Sequence, residues 1–140
     1  MCEFLSGLTF GPQLEGKFGR FYATPRKTDS HTKMEEAIGL KDRHADPAWA
    51  KWEYTPTGDY ADFDSYKFRL DENRKPSWWT DEIQEETIAY AKSVLADVVL
   101  VSGSHEVREG KVIAAGTAQV TAHDSSQVKA YGSSQVTACG

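Results

Sequence analysis

The chain has 140 residues, of which 39% are hydrophobic and 26% charged, and this composition excludes a disordered chain. Its formal net charge of -5 argues against a protein that binds nucleic acid by neutralising phosphates, although it is compatible with a basic protein partner. Two cysteines, Cys2 and Cys139, fit a reducing compartment. Because no segment resembles a signal peptide or an apolar membrane span, we expect a soluble cytoplasmic protein with no membrane partner.

Two strands are predicted at the start of the chain. Residues 2–10 are rich in apolar side chains and end at Gly11-Pro12, and a second strand from Phe18 to Ala23 is stopped by Thr24-Pro25. The two strands could form a hairpin.

A short helix is predicted next. Asp29 or Ser30 can cap its N-terminus, an apolar stripe runs from Met34 to Ile38, and Gly39 ends it. The charged segment 41–47 that follows has the composition of a loop.

Alternation of side chains predicts two more strands and a long helix completes the unit. Residues 49–54 alternate with Trp52 on one side and Trp49 on the other, and residues 66–71 alternate most clearly. A helix from about Asp81 to Val98, capped by Thr80, carries one apolar face that should pack across the N-terminal strands. The order of elements predicts an α+β head domain over residues 1–100.

The last quarter of the chain repeats with a period of eight residues. Residues 116–123, 124–131 and 132–139 read GTAQVTAH, DSSQVKAY and GSSQVTAC, and residues 111–114 look like part of a degenerate earlier octad. A short period of this kind predicts stacked units that bury their apolar sides against one another. We therefore predict a short, thin β-solenoid over residues 101–140, with two octads per turn.

The spacing within each octad predicts which residues line the interior. Residues two apart on a strand face the same way, so Val and Ala point inward, while Gln, Thr or Lys and the eighth residue point outward. The Gly/Asp-Ser-Ser trio forms the corner, where glycine tolerates positive φ. The inward residues, which we predict to mediate self-association, are Val120, Ala122, Val128, Ala130, Val136 and Ala138.

A homo-oligomer follows from the small number of octads. About three repeats are needed for a stable stack, and the final coil would expose Val136 and Ala138 beside unpaired strand edges. Either the coils of several chains stack or intertwine, or helix 81–98 covers one end and a partner covers the other. A solvated repetitive tail and a sequence cut short in mid-repeat are the alternatives.

No established catalytic or metal-binding pattern occurs in the sequence. There is no G-x-S-x-G, P-loop or G-x-G-x-x-G motif, and the four histidines lack metal-ligand spacing, so we expect no catalytic residue, metal or cofactor. The best candidate for a cation or acid-base site is the acidic cluster of Asp59, Asp62 and Asp64 with Asp71 and Glu72. Its Asp62-x-Asp64 segment is too short for a helix-loop-helix calcium loop, so a solvated loop is the favoured interpretation. A small hydrolase that uses Asp29 with His31, or Asp62 with Asp64, is the least favoured alternative.

Aromatic and acidic residues suggest a surface for a protein partner. Of the adjacent Trp78 and Trp79 only one can easily point inward, and the other, with Trp49, is an exposed-aromatic candidate. Exposed aromatic residues in acidic surroundings are typical of a protein–protein patch. The partner-binding candidates are Trp49, Trp78, Trp79, Asp59, Asp62 and Asp64.

Several segments resemble small uncharacterised proteins of bacteriophages and prophages. They are CEFLS (2–6), DSH (29–31), WEYTP (52–56), YKFRLDE (66–72), PSWW (76–79) and the octads. Because phages encode compact acidic proteins that block host defence complexes such as CRISPR effectors, the resemblance implies a non-enzymatic, anti-CRISPR-like inhibitor in the host bacterial cytoplasm, with a host protein as its partner. A structural or adhesive module of a phage particle, using the outward Gln/Thr/Ser ladder, is the main alternative.

Overall fold

A four-stranded antiparallel sheet forms the centre of the N-terminal part of the chain. The computed structural model describes residues 5–28, 30–40, 48–70, 75–123 and 126–139, with Cys139 by its backbone alone. The strands of this sheet, in the spatial order β2-β1-β3-β4, are β1 (Leu5–Phe10), β2 (Phe21–Tyr22), β3 (Trp49–Thr55) and β4 (Lys67–Leu70). The predicted hairpin is confirmed, since β1 pairs antiparallel with β2, although residues 2–4 of the first predicted strand lie outside the described residues.

The helix α1 (Pro12–Phe18) lies between the first two strands and was not predicted. Proline at the start of a helix has the φ angle that the first turn requires, so Pro12 begins this helix. The predicted strand from Phe18 to Ala23 is therefore wrong at its start, because Phe18 ends α1 and only Phe21–Tyr22 is extended. Phe18 packs instead on Phe10, with ring centroids 5.3 Å apart.

The helix α2 (His31–Ile38) confirms the short predicted helix. The Ser30 hydroxyl accepts a hydrogen bond from the backbone N–H of Lys33 at 3.4 Å, and Gly39 ends the helix in the left-handed conformation with φ 76°. Asp29 and the predicted loop 41–47 lie outside the described residues.

The helix α3 (Asp81–Val98) has the predicted bounds and cap. The Thr80 hydroxyl accepts a hydrogen bond from the backbone N–H of Ile83 at 3.1 Å. The buried face of α3 packs on one side of the sheet, where Thr87 and Thr9 join their hydroxyls at 3.0 Å. The other side of the sheet packs with Met34 of α2 in a second apolar cluster. The result is a mixed α+β structure with helices on both faces of the sheet.

The remaining strands form two three-stranded parallel sheets, with the orders β5-β7-β9 and β10-β8-β6. In chain order they are β5 (Val99–Leu100), β6 (Ser104–Val107), β7 (Lys111–Ala114), β8 (Gln119–His123), β9 (Gln127–Ala130) and β10 (Gln135–Cys139). Successive strands thus alternate between the two sheets, and each pairs with the strand two places along. Gln119 pairs with Gln135 and Lys111 with Gln127, sixteen residues on in each case.

The parallel sheets share an apolar core with the N-terminal part. Val99, Ile113 and Ala115 lie in one buried cluster with Leu5 and Trp52. Since these residues fall on both sides of residue 100, the packing joins the two parts that the sequence predicts as separate domains. Within the described ranges, no helix combines the length and apolar character needed to cross a membrane.

Candidate functional site

The valines of the octads face one another between the two parallel sheets, and their burial falls from β7 and β8 to the edge strands β9 and β10. Val112 of β7 and Val120 of β8 are each 2% exposed. Their register partners one strand further on, Val128 of β9 and Val136 of β10, are half-buried and 39% exposed. An inward-facing apolar column therefore reaches solvent at β10.

The alanines two residues on repeat this gradient. Ala114 is fully buried, Ala122 is half-buried, and Ala130 and Ala138 are exposed. Both β9 and β10 are edge strands of their sheets. We call the outer edges of these two strands, with the exposed side chains of Ala130, Val136 and Ala138, the open edge.

The corners between the strands use glycine and serine as the octad pattern predicts. Gly116 and Gly132 have φ values of 54° and 63°, in the left-handed region that favours glycine. The Ser134 hydroxyl lies 2.7 Å from the carbonyl oxygen of Tyr131 and donates to it, which closes that corner. Asp124 and Ser125, which the octad pattern predicts to form the equivalent corner of the middle octad, lie outside the described residues.

The strands at the opposite edges of the two sheets, β5 and β6, pair with a different register. Ser104 of β6 pairs with Gln119, fifteen residues on, and Val99 of β5 pairs with Ile113, fourteen residues on, instead of sixteen. The strand β5 has two residues because it directly follows α3, which ends at Val98. The edges formed by β5 and β6 therefore do not repeat the geometry of the open edge.

The head packs against the outer face of the sheet β5-β7-β9. Ile113 and its partner Val99 point away from the octad valines and into the head core. The ring of Tyr131, which follows β9, stacks on Tyr60 of the head at 4.2 Å and 13°. The head therefore extends to the open edge.

The outer face of the other sheet, β10-β8-β6, carries polar ladders. Gln119 lies beside Gln135, and Thr121 beside Thr137, along a shallow groove. The carboxylate of Glu106 lies 3.4 Å from Nε2 of His123. These side chains offer hydrogen-bond donors and acceptors to a flat polar ligand.

The tryptophans do not form the exposed platform that the sequence suggests. Trp49 is 4% exposed, and its indole N–H donates to Glu35 Oε2 at 2.8 Å, so the prediction of an exposed Trp49 is wrong. The reason is that α2 covers the face of β3 that alternation assigns to solvent. Trp79 is buried and Trp78 half-buried, which confirms that only one of this pair points inward.

The acidic candidates lie on the surface away from Trp78. Asp59, Asp62 and Asp64 are exposed around a 3-10 turn at Phe63–Ser65. Asp64 pairs with Lys92 at 2.6 Å, and this hydrogen bond raises the pKa of the lysine. Trp78 lies just before the N-terminus of α3, and Lys92 lies eleven residues after the first residue of that helix. Lys92 is therefore about 17 Å along the helix axis from the end near Trp78. The candidates therefore do not form one patch.

The structure describes the surroundings of His31, one residue of the hydrolase alternative. His31 is 4% exposed, and its Nε2 lies 2.9 Å from the carbonyl oxygen of Trp52, to which a protonated Nε2 donates. Asp29 lies outside the described residues. Among the described residues, no three His, Cys, Asp or Glu side chains converge to hold a metal ion.

One buried charge was not predicted from the sequence. Glu53 of β3 is 1% exposed and forms an ion pair with Arg69, its register partner on β4. Within the described part of the chain, its Oε1 has no hydrogen-bond partner. The alternation of residues in this strand predicts that Glu53 faces solvent. Only the pairing of β3 with β4 identifies Arg69 as its ion-pair partner.

Comparison with known proteins adds no relative. The sequence matches no protein-family model, and neither a curated protein nor a solved structure matches it.

Proposed function

We propose that the chain is a non-enzymatic binding protein that assembles with further copies of itself through its octads and displays the α+β head to a protein partner. The observation that carries the proposal is the exposure of Val136, compared with the buried Val120 at the same octad position. A second copy placed on the open edge would bury Val136 and pair the free strand edges.

The proposed assembly rests on a proposed architecture, a β-solenoid with two octads per turn. Its support is the sixteen-residue offset of the β7–β9 and β8–β10 pairs and the alternation of strands between two parallel sheets. In such a stack each unit gains its stability from neighbours, so an uncovered unit binds another of its kind.

The partner of the head is proposed to be a host protein in the bacterial cytoplasm, which the chain would block without catalysis. The support is the net charge of -5, the exposed acids around the 3-10 turn, and the resemblance of the sequence segments to phage proteins. Charge of one sign on a surface steers a partner of the opposite sign and speeds association.

Self-assembly is tested by the mass of the protein in solution, measured by light scattering coupled to gel filtration over a range of concentrations. We expect the full chain to be an oligomer and Val136→Lys to be a folded monomer, because a buried unpaired ammonium is costly. Gln119→Lys is the matched control, since it places the same charge on an exposed, outward position of β8. A monomeric full chain at every concentration would overturn the proposal.

An adhesive module is the second candidate, favoured by the groove along the Gln and Thr ladders of the sheet β10-β8-β6. It predicts binding to a polysaccharide that is lost when Gln119 and Gln135 are both changed to alanine. An array of immobilised glycans measures this, and no binding to any glycan would exclude the second candidate.

A further inference from the structure

The open edge is the surface on which a second copy of the chain can be placed in detail. It consists of two short strands, β9 and β10, that belong to different sheets and face one another across the octad valines. The inward residues of the second copy must also face inward, so few arrangements of that copy on the open edge are possible.

Head-to-tail stacking of copies would join two unlike ends. The open edge has four residues in β9 and five in β10, whereas β5 at the other end has two and runs directly out of α3. The offsets there of fourteen and fifteen residues also break the sixteen-residue register. A two-fold pair instead joins two open edges, which are identical, and symmetric closed dimers are the commonest assemblies.

A two-fold axis can join the open edges in two ways. If the axis is perpendicular to the sheets, β9 meets its own copy and β10 meets its own copy. If the axis is parallel to the strands, β9 meets β10 of the partner, and β10 meets β9. In both cases the joined strands are antiparallel.

Charge favours the second arrangement. Lys129 is exposed in β9, and like charges directly opposite on paired strands are destabilising. In a β9–β9 pair, Lys129 would approach the partner's Lys129. In a β9–β10 pair it meets the uncharged side chains of β10, because Gln135 and Thr137 are the outward residues there.

The position of the head favours the same arrangement. The head lies on the outer face of the sheet β5-β7-β9 and reaches Tyr131, beside the open edge. An axis perpendicular to the sheets would place both heads on one side of the stack, next to each other. An axis parallel to the strands places them on opposite sides, where they do not collide.

We infer that two copies of the chain associate about a two-fold axis parallel to the strands, so that β9 of each pairs antiparallel with β10 of the other. This geometry rests on the proposed self-assembly. Rotation about such an axis causes no shift along the strands and keeps inward residues opposite inward residues. Ala130 is the inward residue of β9 nearest the turn 131–134, and Val136 is the inward residue of β10 nearest that turn. Ala130 then lies beside the partner's Val136, and Lys129 beside the partner's Thr137.

The consequence for function is a bivalent protein with two heads on opposite sides of a continuous pair of sheets. Two heads bind two copies of a partner, or two sites on one oligomeric partner, with an avidity that a single head lacks. The joined strands contribute four residues from β9 and five from β10 on each side, fewer than the ~20–30 residues a side of stable interfaces, so the dimer dissociates at low concentration.

The test is the dimer dissociation constant measured by sedimentation equilibrium for the full chain, Thr137→Glu and Thr137→Lys. Thr137→Glu puts a carboxylate beside the partner's Lys129 at two equivalent places, so we expect dimerisation about two- to tenfold tighter at low salt. Thr137→Lys should be weaker by a similar factor, and high salt should reduce both effects. Gln119→Glu, on the neighbouring strand β8, is the charge-matched control and should leave the constant unchanged.

Each outcome identifies a different failure. If Thr137→Glu and Thr137→Lys both weaken the dimer, β10 meets its own copy and the inferred axis is wrong. If neither changes it, the open edge is not the interface. If the unmodified chain is a monomer throughout, the proposed self-assembly fails before the geometry is at issue, and growth into large polymers would indicate head-to-tail stacking.

Discussion

Truncation of two equivalent valines measures the burial gradient of the octads and its change on assembly. Val120 and Val136 occupy the same octad position on neighbouring strands and are register partners, but Val120 is 2% exposed and Val136 39% exposed. Val120→Ala and Val136→Ala remove the same two methyl groups. Any difference between the two variants therefore comes from the surroundings of the side chain.

The expected losses of unfolding free energy follow from that exposure. Each buried methylene-sized group contributes about 0.8 kcal/mol by transfer, and an unfilled cavity adds to the loss, so Val120→Ala should cost about 2–3 kcal/mol. Val136 has roughly three-fifths of its surface buried in the single chain, so Val136→Ala should cost about 1 kcal/mol there. On assembly the partner covers Val136, so the loss of unfolding free energy caused by Val136→Ala should approach the loss caused by Val120→Ala.

Urea unfolding is measured for both variants and the unmodified chain, at about 1 µM and at several hundred µM. The two concentrations separate burial within the single chain from burial by the partner, because only dimerisation makes the stability depend on concentration. We expect the gap between the variants to narrow as concentration rises. Equal costs at the lowest concentration would show that the burial gradient does not exist in solution. A gap that stays constant over the range would refute assembly at the open edge.

Two further predictions concern the corners of the octads and the tyrosines of the head. Gly116→Ala should destabilise the fold by about 3 kcal/mol or more, because the φ of Gly116 is 54° and a Cβ there would lie 2.5 Å from a backbone carbonyl oxygen. Gly132 has a φ of 63° but a Cβ there would meet no atom closer than 3.6 Å, so Gly132→Ala should cost only the ~1–2 kcal/mol of the left-handed conformation. Equal thermal shifts for the two variants would contradict the close contact at Gly116. Burial raises the pKa of Tyr66, and the Tyr66 hydroxyl donates a hydrogen bond to the carbonyl oxygen of Tyr60 at 2.9 Å. The stability that the protonated Tyr66 side chain contributes is therefore present below pH ~10 and is lost as the pH rises above that value. Alkaline titration followed by tyrosinate absorbance, with Tyr66→Phe as the control, should show that Tyr66 ionises only as the protein unfolds; ionisation near pH 10 in the folded protein would contradict its burial.

Elements with strong local signals were predictable from the sequence. The helix Asp81–Val98 has the cap, the early acidic residues and the apolar stripe that specify a helix, and its bounds are as predicted. The octads specify their own register, since a repeated strand pairs best with its copy. The helix Pro12–Phe18 lacks such signals, because it is seven residues long and contains Gly16.

The burial of both faces of one strand was not predictable from the sequence. Alternation identifies the faces of a strand but not what covers them, and helices lie on both sides of this sheet. Trp49 and Glu53, which alternation assigns to solvent, are both buried for that reason. The exposure of Val136 and Ala138 was predictable, because the units of a regular repeat bury their apolar side chains only against neighbouring units.

Hydrogen–deuterium exchange of the backbone amides of β10 tests self-assembly at the open edge most directly. An edge strand exchanges readily, whereas a paired strand is protected. If two copies join there, protection of residues 135–139 rises with protein concentration, while that of β8, which already lies between two strands, stays constant. Rapid exchange of β10 that is the same at every concentration would contradict the account.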